Sequence, residues 1–309
     1  NYEQLLATRR ALACENQISE VPRLLVESWK STLLSERLEQ KTEQIDDILN
    51  RNIQHWEEAF YVILARSFGF GVNGQPFEML AKSLPLNILA KHKNDLLQIE
   101  ALLFGQAGLL AQNPKDDYQK SLQTEYSFLQ KKYDLKPLQS THWKMLRLRP
   151  VNFPHIRIAQ FAALIYNSTK IFSKILENPE INYLYQLFDV EPSAYWRSHF
   201  LFGETSRTSA KRLGKSSINT LIINTIVPFI FVYGNNKGEQ KFKDKAISLL
   251  ENLPAEKNAV INLWASVGIQ AQTAFDSQAL LQLKKNYCDA KNCIRCRIGH
   301  KVLSSSKGL

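Results

Sequence analysis

Hydrophobic positions recur at helical spacing along nearly the whole chain. Between Val21 and Asn50 the apolar residues stand three, four or seven positions apart, with charged residues between them, which is the period of an amphipathic helix. Ser19 is a candidate N-cap for this helix, with Pro22 in its first turn. A second predicted helix, from Gln54 to Ser67, ends at the glycines of FGFGVNG. Strand signals are scarce, so the pattern predicts an irregular all-α fold of many helices with one short hairpin at most.

One uncharged stretch has nearly the length of a membrane span. Residues Ser216 to Asn236 carry no charge, and a spanning helix needs about 20 apolar residues. Asparagines, threonines and Pro228 interrupt this stretch, whereas a membrane span is apolar throughout. We therefore expect a buried core helix, no membrane partner and a soluble protein.

The domain organisation is predicted from length and from a break in the helical pattern. A chain of 309 residues suggests one or two domains. Pro137, in the segment KPLQS, interrupts the helices. We expect an N-terminal helical region at residues 1–140 and a C-terminal helical region at 141–309 that carries a cysteine cluster. A single continuous domain is the alternative.

Charge points to an anionic partner. The formal net charge is +10, from 39 Lys and Arg against 29 Asp and Glu, and the stretch from Thr141 to Lys170 contains no acid. Arginine pairs with phosphate and aromatic rings stack on bases, so this stretch suits DNA or RNA. The residues predicted to contact phosphate are Arg147, Arg149, Arg157 and Lys215. Alternatively, the arginines pair with acids of the chain itself, or the basic faces meet an acidic protein partner in an interaction scaffold.

No catalytic constellation is visible in these residues. The string LGKSS resembles the end of a phosphate-binding loop, but Ser209 stands where the motif needs a glycine. Neither a His-Glu-x-x-His zinc motif nor a Gly-x-Ser-x-Gly elbow occurs. Whether the protein is an enzyme stays open at this point.

Three of the four cysteines cluster near the C-terminus. Cys288, Cys293 and Cys296 follow an x4, x2 spacing, and a short loop of this kind places thiolates on one ion or cluster. The fourth ligand is Cys14 or, at the spacing of a Cys3His zinc finger, His300. The neighbouring cations Lys291, Arg295 and Arg297 are expected to lower the thiol pKa values. The cofactor predicted is a 4Fe-4S cluster, with zinc as one alternative and free thiols without metal as the other.

Several stretches resemble a known bacterial family. They are WEEAFYVILARSFGFGVNGQPFEMLAKSLP, IEALLFGQAGLL, RLRPVNFPHIRIAQFAALI, INTIVPFIFVYG and DSQALLQLKKNYCDAKNCIRCRIGHKVL. Together they resemble the C-terminal part of the family catalogued as domain of unknown function 2851, and they run from Trp56 to Leu303.

The resemblance has three implications. Members of that family have a further N-terminal segment with nuclease-like carboxylates, so any nuclease activity is expected upstream of Asn1. The family also has a cysteine near Cys14, which favours Cys14 as the fourth ligand. We therefore expect a nucleic-acid-binding helical region of a nuclease-like protein, in which a structural four-cysteine metal site packs the C-terminal tail on the N-terminal helices. The small number of cysteines and the lack of a signal-peptide pattern separately favour the cytoplasm.

Overall fold

The fold is almost entirely helical. The structure is a computed structural model, and it describes Glu3, Ala7, Thr8, residues 10–51 and residues 55–305. Within this described part, 68% of the chain is helical in 15 α-helices, and the strands form one two-stranded antiparallel hairpin. This confirms the predicted all-α class with one short hairpin.

The helices, in chain order, are α1 (Arg23–Arg51), α2 (Trp56–Phe68), α3 (Gly74–Ser83), α4 (Leu86–Lys91), α5 (Leu96–Gln106), α6 (Asp117–Tyr133), α7 (Pro154–Asn167), α8 (Ile171–Glu177), α9 (Ile181–Phe188), α10 (Lys215–Leu221), α11 (Val227–Lys237), α12 (Gln240–Asn252), α13 (Ala259–Ser266), α14 (Ala274–Leu283) and α15 (Arg297–Ser305). Short 3-10 turns cover Glu15–Glu20, Ser140–His142, Pro150–Asn152 and Ala194–Arg197, and π-helical turns cover Ile222–Ile226 and Lys284–Cys288. The hairpin pairs β1 (His199–Leu201) with β2 (Glu204–Thr205).

Two predicted helix starts differ from the observed ones. Helix α1 begins at Arg23, and Ser19 lies in the preceding 3-10 turn rather than at the N-cap. Helix α2 begins at Trp56 and is capped by His55, whose ring accepts a hydrogen bond from the Glu58 backbone N–H at 3.1 Å. Gln54, the predicted start of α2, lies outside the described residues.

The chain forms two compact units that do not follow the predicted division at residue 140. Unit 1 combines Asn1–Asp46 with Val227–Leu309, and unit 2 comprises Asp47–Ile226. The proline at position 137 breaks a helix, but the contacts on both of its sides belong to unit 2. A local break in helical periodicity therefore did not mark a break in packing.

The core of unit 2 is rich in aromatic rings. Phe161 of α7 lies fully buried against the rings of Tyr61 and Phe68 in α2, at centroid distances of 5.7 and 4.9 Å. Helices α5 and α6 approach each other closely at Gly105, where a Cβ atom would lie 2.1 Å from Cγ of Tyr126. Because glycine lacks a side chain, it permits this close approach of the two helices.

A buried acid lies in the same unit. Glu100 of α5 is 1% exposed and accepts hydrogen bonds from the Tyr118 hydroxyl, from Ser193 Oγ at 3.0 Å and from Trp196 Nε1 at 3.2 Å. All three donors are neutral. Burial raises the pKa of Glu100 to about 7, and the hydrogen bonds oppose this shift only in part.

The uncharged stretch forms a helical run from Lys215 to Lys237, through α10, a π-helical turn and α11. By length and composition it is the one described helix that could cross a membrane, but 72% of its apolar window is buried inside the protein. Buried core helices have the same length and composition. Its burial agrees with the predicted core helix.

Candidate metal centre

The three C-terminal cysteines are positioned by a succession of tight turns in unit 1. A π-helical turn ends at Cys288, and the Asn292 backbone N–H returns to the Tyr287 carbonyl at 2.8 Å. Lys291 adopts a φ of +52° at this reversal. The Cys296 N–H then donates to the Cys293 carbonyl at 3.3 Å, which closes the x2 turn directly before α15.

Gly299 allows this turn to pack on the first turn of α15. A Cβ atom at position 299 would lie 2.3 Å from the backbone oxygen of Cys293, closer than two such atoms can approach. The glycine is therefore required by a close backbone approach, and it fixes Cys293 against the helix that follows Cys296.

Cys14 lies in the same apolar cluster as the C-terminal cysteines. It precedes the 3-10 turn Glu15–Glu20 and, at 8% exposure, is buried. Cys293 and Cys296 are also buried in this cluster, and the partly buried Cys288 packs against it. Other members are Leu12, Ile18, Trp29, Leu33, Ile298 and Val302. The C-terminal tail thus packs on the N-terminal helical segments of unit 1.

The four thiols interact electrostatically in every pairing. Burial raises the pKa of Cys14 to about 11, and nearby Cys296 and Cys293 raise it further. The pKa of Cys288 is raised even more, by burial and then by Cys296, Cys14 and Cys293, and Cys293 also raises the pKa of Cys296. All four cysteines are free. Three buried thiols and the partly buried Cys288, close together and without a disulfide, are a set that a positively charged centre would stabilise as thiolates.

The thiols do not form a finished single-ion site. In the described part of the chain, no three His, Cys, Asp or Glu side chains converge as the ligands of one ion do. The sulfurs are thus within electrostatic range of one another but are not gathered around one point.

N–H groups surround the Cys296 sulfur. The backbone N–H groups of Ile298 and Gly299, in the first turn of α15, donate to it and lower the pKa of this thiol, although burial dominates and raises it. The indole N–H of Trp29 is buried without a hydrogen-bond partner. It nevertheless faces the Cys296 sulfur closely enough to lower the pKa of that thiol as a donor does. Such N–H groups are typical of sulfurs that carry negative charge.

Trp29 is held in this orientation from both sides. Its ring makes an edge contact with Tyr287, at 5.3 Å between centroids, and the Tyr287 hydroxyl donates to Glu36 at 2.8 Å. The guanidinium of Arg297 lies 5.1 Å from the indole centroid and also donates to Ser28 Oγ at 3.1 Å. Trp29 is therefore a positioned part of the cluster. A lone tryptophan in an amphipathic helix gave no sequence signal of this role.

The expected lowering of the thiol pKa values is not observed. Lys291 lowers the pKa of Cys293 and Lys284 lowers that of Cys288, but burial is the larger cause in each thiol and the net shift is upward. Lys291 is exposed, so water screens its charge, and Lys284 is already paired with Asp289. The sequence showed the charges but not the depth of the sulfurs.

The alternative ligand His300 lies in a different environment from Cys14. Its backbone N–H donates to the Cys296 carbonyl at 2.8 Å, but the residue is exposed. Cys14, by contrast, is buried among the other thiols. The structure therefore brings together Cys14, Cys288, Cys293 and Cys296.

The four residues predicted to contact nucleic acid lie in two environments in unit 2. Arg147 and Arg149 are exposed on the loop between α6 and α7, and Lys215 is exposed at the start of α10, with its ammonium 4.9 Å from the Tyr185 ring centroid. Arg157 is 7% exposed and donates to Gln160 at 2.9 Å and to Asn152 at 2.6 Å. Helix periodicity turns Arg157 into the protein interior, whereas the other three cations lie at the surface.

Two further cations near Lys215 are engaged internally. The Lys211 ammonium donates to the backbone carbonyls of Trp196 and Arg197 at 2.7 and 2.9 Å. Arg212 pairs with Asp189 at 3.0 Å and with Glu191 at 2.9 Å. Neither cation is therefore available for an external anion without losing contacts within unit 2.

Comparison with known proteins gives one match. The family described as a protein of unknown function, DUF2851, matches residues 1–259. The match includes Cys14 and ends before the three C-terminal cysteines. No curated protein and no solved structure matches the chain.

Proposed function

The chain belongs to the DUF2851 family, and we propose that it is a nucleic-acid-binding helical protein stabilised by a structural metal centre on Cys14, Cys288, Cys293 and Cys296. The observation that carries the metal centre is the packing of all four thiols in one apolar cluster, where they interact in every pairing, together with the unpartnered Trp29 N–H. A metal would stabilise all four as thiolates, and the Trp29 N–H would donate to a charged sulfur. Its role is to tie the C-terminal tail to the N-terminal segment of unit 1.

Close thiols of which no three converge as the ligands of one ion support a 4Fe-4S cluster over zinc. Four thiolates around one zinc ion each lie about 2.3 Å from the metal and hence about 4 Å from one another. In a cluster each thiolate binds a different iron, so the sulfurs stand farther apart. Thiols that interact in every pairing without three converging on one ion match the wider arrangement.

The ligand set is tested by comparing two single variants with the unaltered protein, all purified without oxygen. We expect Cys14→Ser to lose most of its bound metal and His300→Ala to keep it. Circular dichroism confirms that each variant retains its helices. Retention of metal by Cys14→Ser together with its loss from His300→Ala would show that the fourth ligand is the histidine. Retention of metal by both variants would reject this ligand set.

Trp29→Phe tests the contribution of the indole N–H. It keeps an aromatic ring in the apolar cluster and removes only the donor and part of the volume. Substitution of a group that supports a metal ligand typically costs about 10-fold or more in metal affinity, and we expect that loss here. Trp264→Phe is the matched control, because Trp264 is buried in the same unit but donates to the Leu280 carbonyl at 3.2 Å.

Nucleic-acid binding is proposed from the exposed cations of unit 2. Arg147 and Arg149 are exposed, stand in a stretch without acids, and have no ion-pair partner among the described residues. Lys215 adds an exposed charge at the start of α10. A protein that neutralises phosphates binds less tightly as salt rises, with a slope set by the number of contacts.

A salt titration with an oligonucleotide tests this proposal. We expect Arg147→Ala and Arg149→Ala each to weaken binding and to reduce the slope of log affinity against log salt by about 1. Arg212→Ala, whose guanidinium is already paired with two acids, should leave the slope unchanged. Absence of binding, or binding independent of salt, would contradict the proposal.

An interaction scaffold is the second candidate, and one observation favours it. Leu146, between the basic residues of the same loop, is 86% exposed, and Met145 and Val151 are also exposed. Apolar side chains on a basic loop suit an acidic protein partner with an apolar patch. Recovery of one stoichiometric protein partner that is lost with Leu146→Ser, without bound nucleic acid, would favour the scaffold.

We place the protein in the cytoplasm, because four free cysteines persist in a reducing compartment. Fractionation of cells and detection of the chain with an antibody test this assignment. We assign no reaction to the described residues.

A further inference from the structure

We propose that unit 2 contains a binding pocket for a phosphate group, formed by Arg157, the start of α7 and the turn that follows α2. The pocket is distinct from the cysteine cluster and from the exposed cations of the loop. Its lining residues are Gly69, Phe70, Val72, Asn73, Phe77, Leu148, Asn152, Pro154 and Arg157.

The guanidinium of Arg157 is a buried charge without a counter-ion. No carboxylate lies within ion-pair distance of it among the described residues, and its two hydrogen-bond acceptors at short distance are the neutral amides of Gln160 and Asn152. Its Nε atom has no hydrogen-bond partner. A buried, hydrogen-bonded charge is normally paired, because removing it from water is costly. An external anion would supply the missing partner.

The pocket walls are built to hold this guanidinium in place. Phe70 has a φ of +42°, a strained value for a phenylalanine, and its ring centroid lies 4.0 Å from the guanidinium carbon. Asn73 exchanges two hydrogen bonds with the backbone of Lys144, at 2.9 and 2.8 Å. These bonds join the turn after α2 to the basic loop.

Helix α7 adds a favourable field. Pro154, its first residue, lines the pocket, and Phe153 at the N-cap position offers no side-chain acceptor to the first-turn N–H groups. The N-terminus of a helix favours an anion.

The size and rim of the pocket fit one oxyanion. Its volume of about 40 Å³ holds about three water molecules, which is the space of a phosphate group. Leu148 lines the pocket between the exposed Arg147 and Arg149. A phosphate that enters past these residues would come from free phosphate or from the end of a phosphorylated strand.

Calorimetric titration of the full chain with inorganic phosphate tests the pocket. Arg157→Gln would remove the charge but would also disturb the packing around a buried side chain. The test therefore changes Val72, which is 46% exposed at the rim of the pocket. Val72→Asp would supply an internal carboxylate that competes with phosphate for the Arg157 guanidinium. We expect it to weaken phosphate binding by about tenfold or more, which is the contribution of one charge-assisted hydrogen bond. Val72→Asn has the shape of the aspartate without its charge, and we expect it to bind phosphate more tightly than Val72→Asp does.

Two results would overturn the pocket: no saturable binding of phosphate to the unaltered protein, or equal binding by Val72→Asp and Val72→Asn. The source of the phosphate is identified with two oligonucleotides that differ only in a terminal phosphate. Tighter binding of the phosphorylated strand, lost in Val72→Asp, assigns the pocket to strand ends. Equal binding of both strands alongside saturable binding of inorganic phosphate assigns it to the free ion. The salt titration of unphosphorylated strands tests the surface cations separately.

Discussion

Replacement of Glu100 by glutamine should remove a pH-dependent loss of stability. The pKa of Glu100 is about 7 in the folded protein, because the carboxyl group is buried among neutral donors. In the unfolded chain it returns to the ordinary value of 4.5. Below pH 4.5 the group is protonated in both states. As pH rises from 4.5 to 7 the unfolded chain loses this proton first, and the folded state is destabilised relative to it.

The size of the effect follows from the two pKa values. A difference between 4.5 and about 7 corresponds to about 3 kcal/mol at pH values above 7. Glutamine has nearly the same shape and stays neutral. We therefore expect the free energy of unfolding of Glu100→Gln, measured relative to the unaltered protein, to increase by about 3 kcal/mol between pH 4.5 and pH 8.

Urea unfolding followed by tryptophan fluorescence at a series of pH values measures this change, since Trp196 contacts the carboxylate itself. Glu177→Gln, at an exposed position, is the matched control and should show no trend. A stability difference between Glu100→Gln and the unaltered protein that stays constant from pH 4.5 to pH 8 would refute the reasoning.

Two further predictions concern glycines. Gly299→Ala should lower both metal retention and the melting temperature, because its Cβ would lie 2.3 Å from the Cys293 carbonyl oxygen. The control variant Gly214→Ala should change neither, because nothing lies within 4 Å of its Cβ. Equal melting temperatures and equal metal contents for the two variants would reject the close approach. Gly105→Ala should destabilise unit 2 by about 1–3 kcal/mol in urea unfolding, the usual cost of overpacking, because its Cβ would lie 2.1 Å from the Tyr126 ring. The double variant with Tyr126→Leu should recover part of this loss. An unchanged unfolding midpoint for Gly105→Ala would disprove the contact.

Local patterns in the sequence carried the prediction of the fold class. Apolar residues at helical spacing record which face of each helix is buried, and Gly105 records a close neighbour, so both features were open to prediction. Three cysteines within nine positions also predicted a cluster. Periodicity does not record which segments meet. For that reason the predicted division at residue 140 did not include a unit assembled from both ends of the chain, as unit 1 is.

The side chains that support the two candidate sites were the least predictable. The role of Trp29 depends on the orientation of its indole ring, and that of Gly299 on a single backbone contact. Arg157 has the same residue type as Arg147 and Arg149 and lies in the same acid-free stretch. Only its position on the inner face of α7 distinguishes it from them. Composition thus indicated the basic side chains but not the depth at which each of them lies.

The central claim is that the four cysteines hold a metal centre, and metal analysis of the protein purified without oxygen tests it most directly. We predict about four irons and four inorganic sulfides per chain, the composition of a 4Fe-4S cluster, with a broad visible absorption that bleaches on reduction. Protein that is correctly folded but contains neither iron with sulfide nor zinc, and that takes up neither on reconstitution, would contradict the claim.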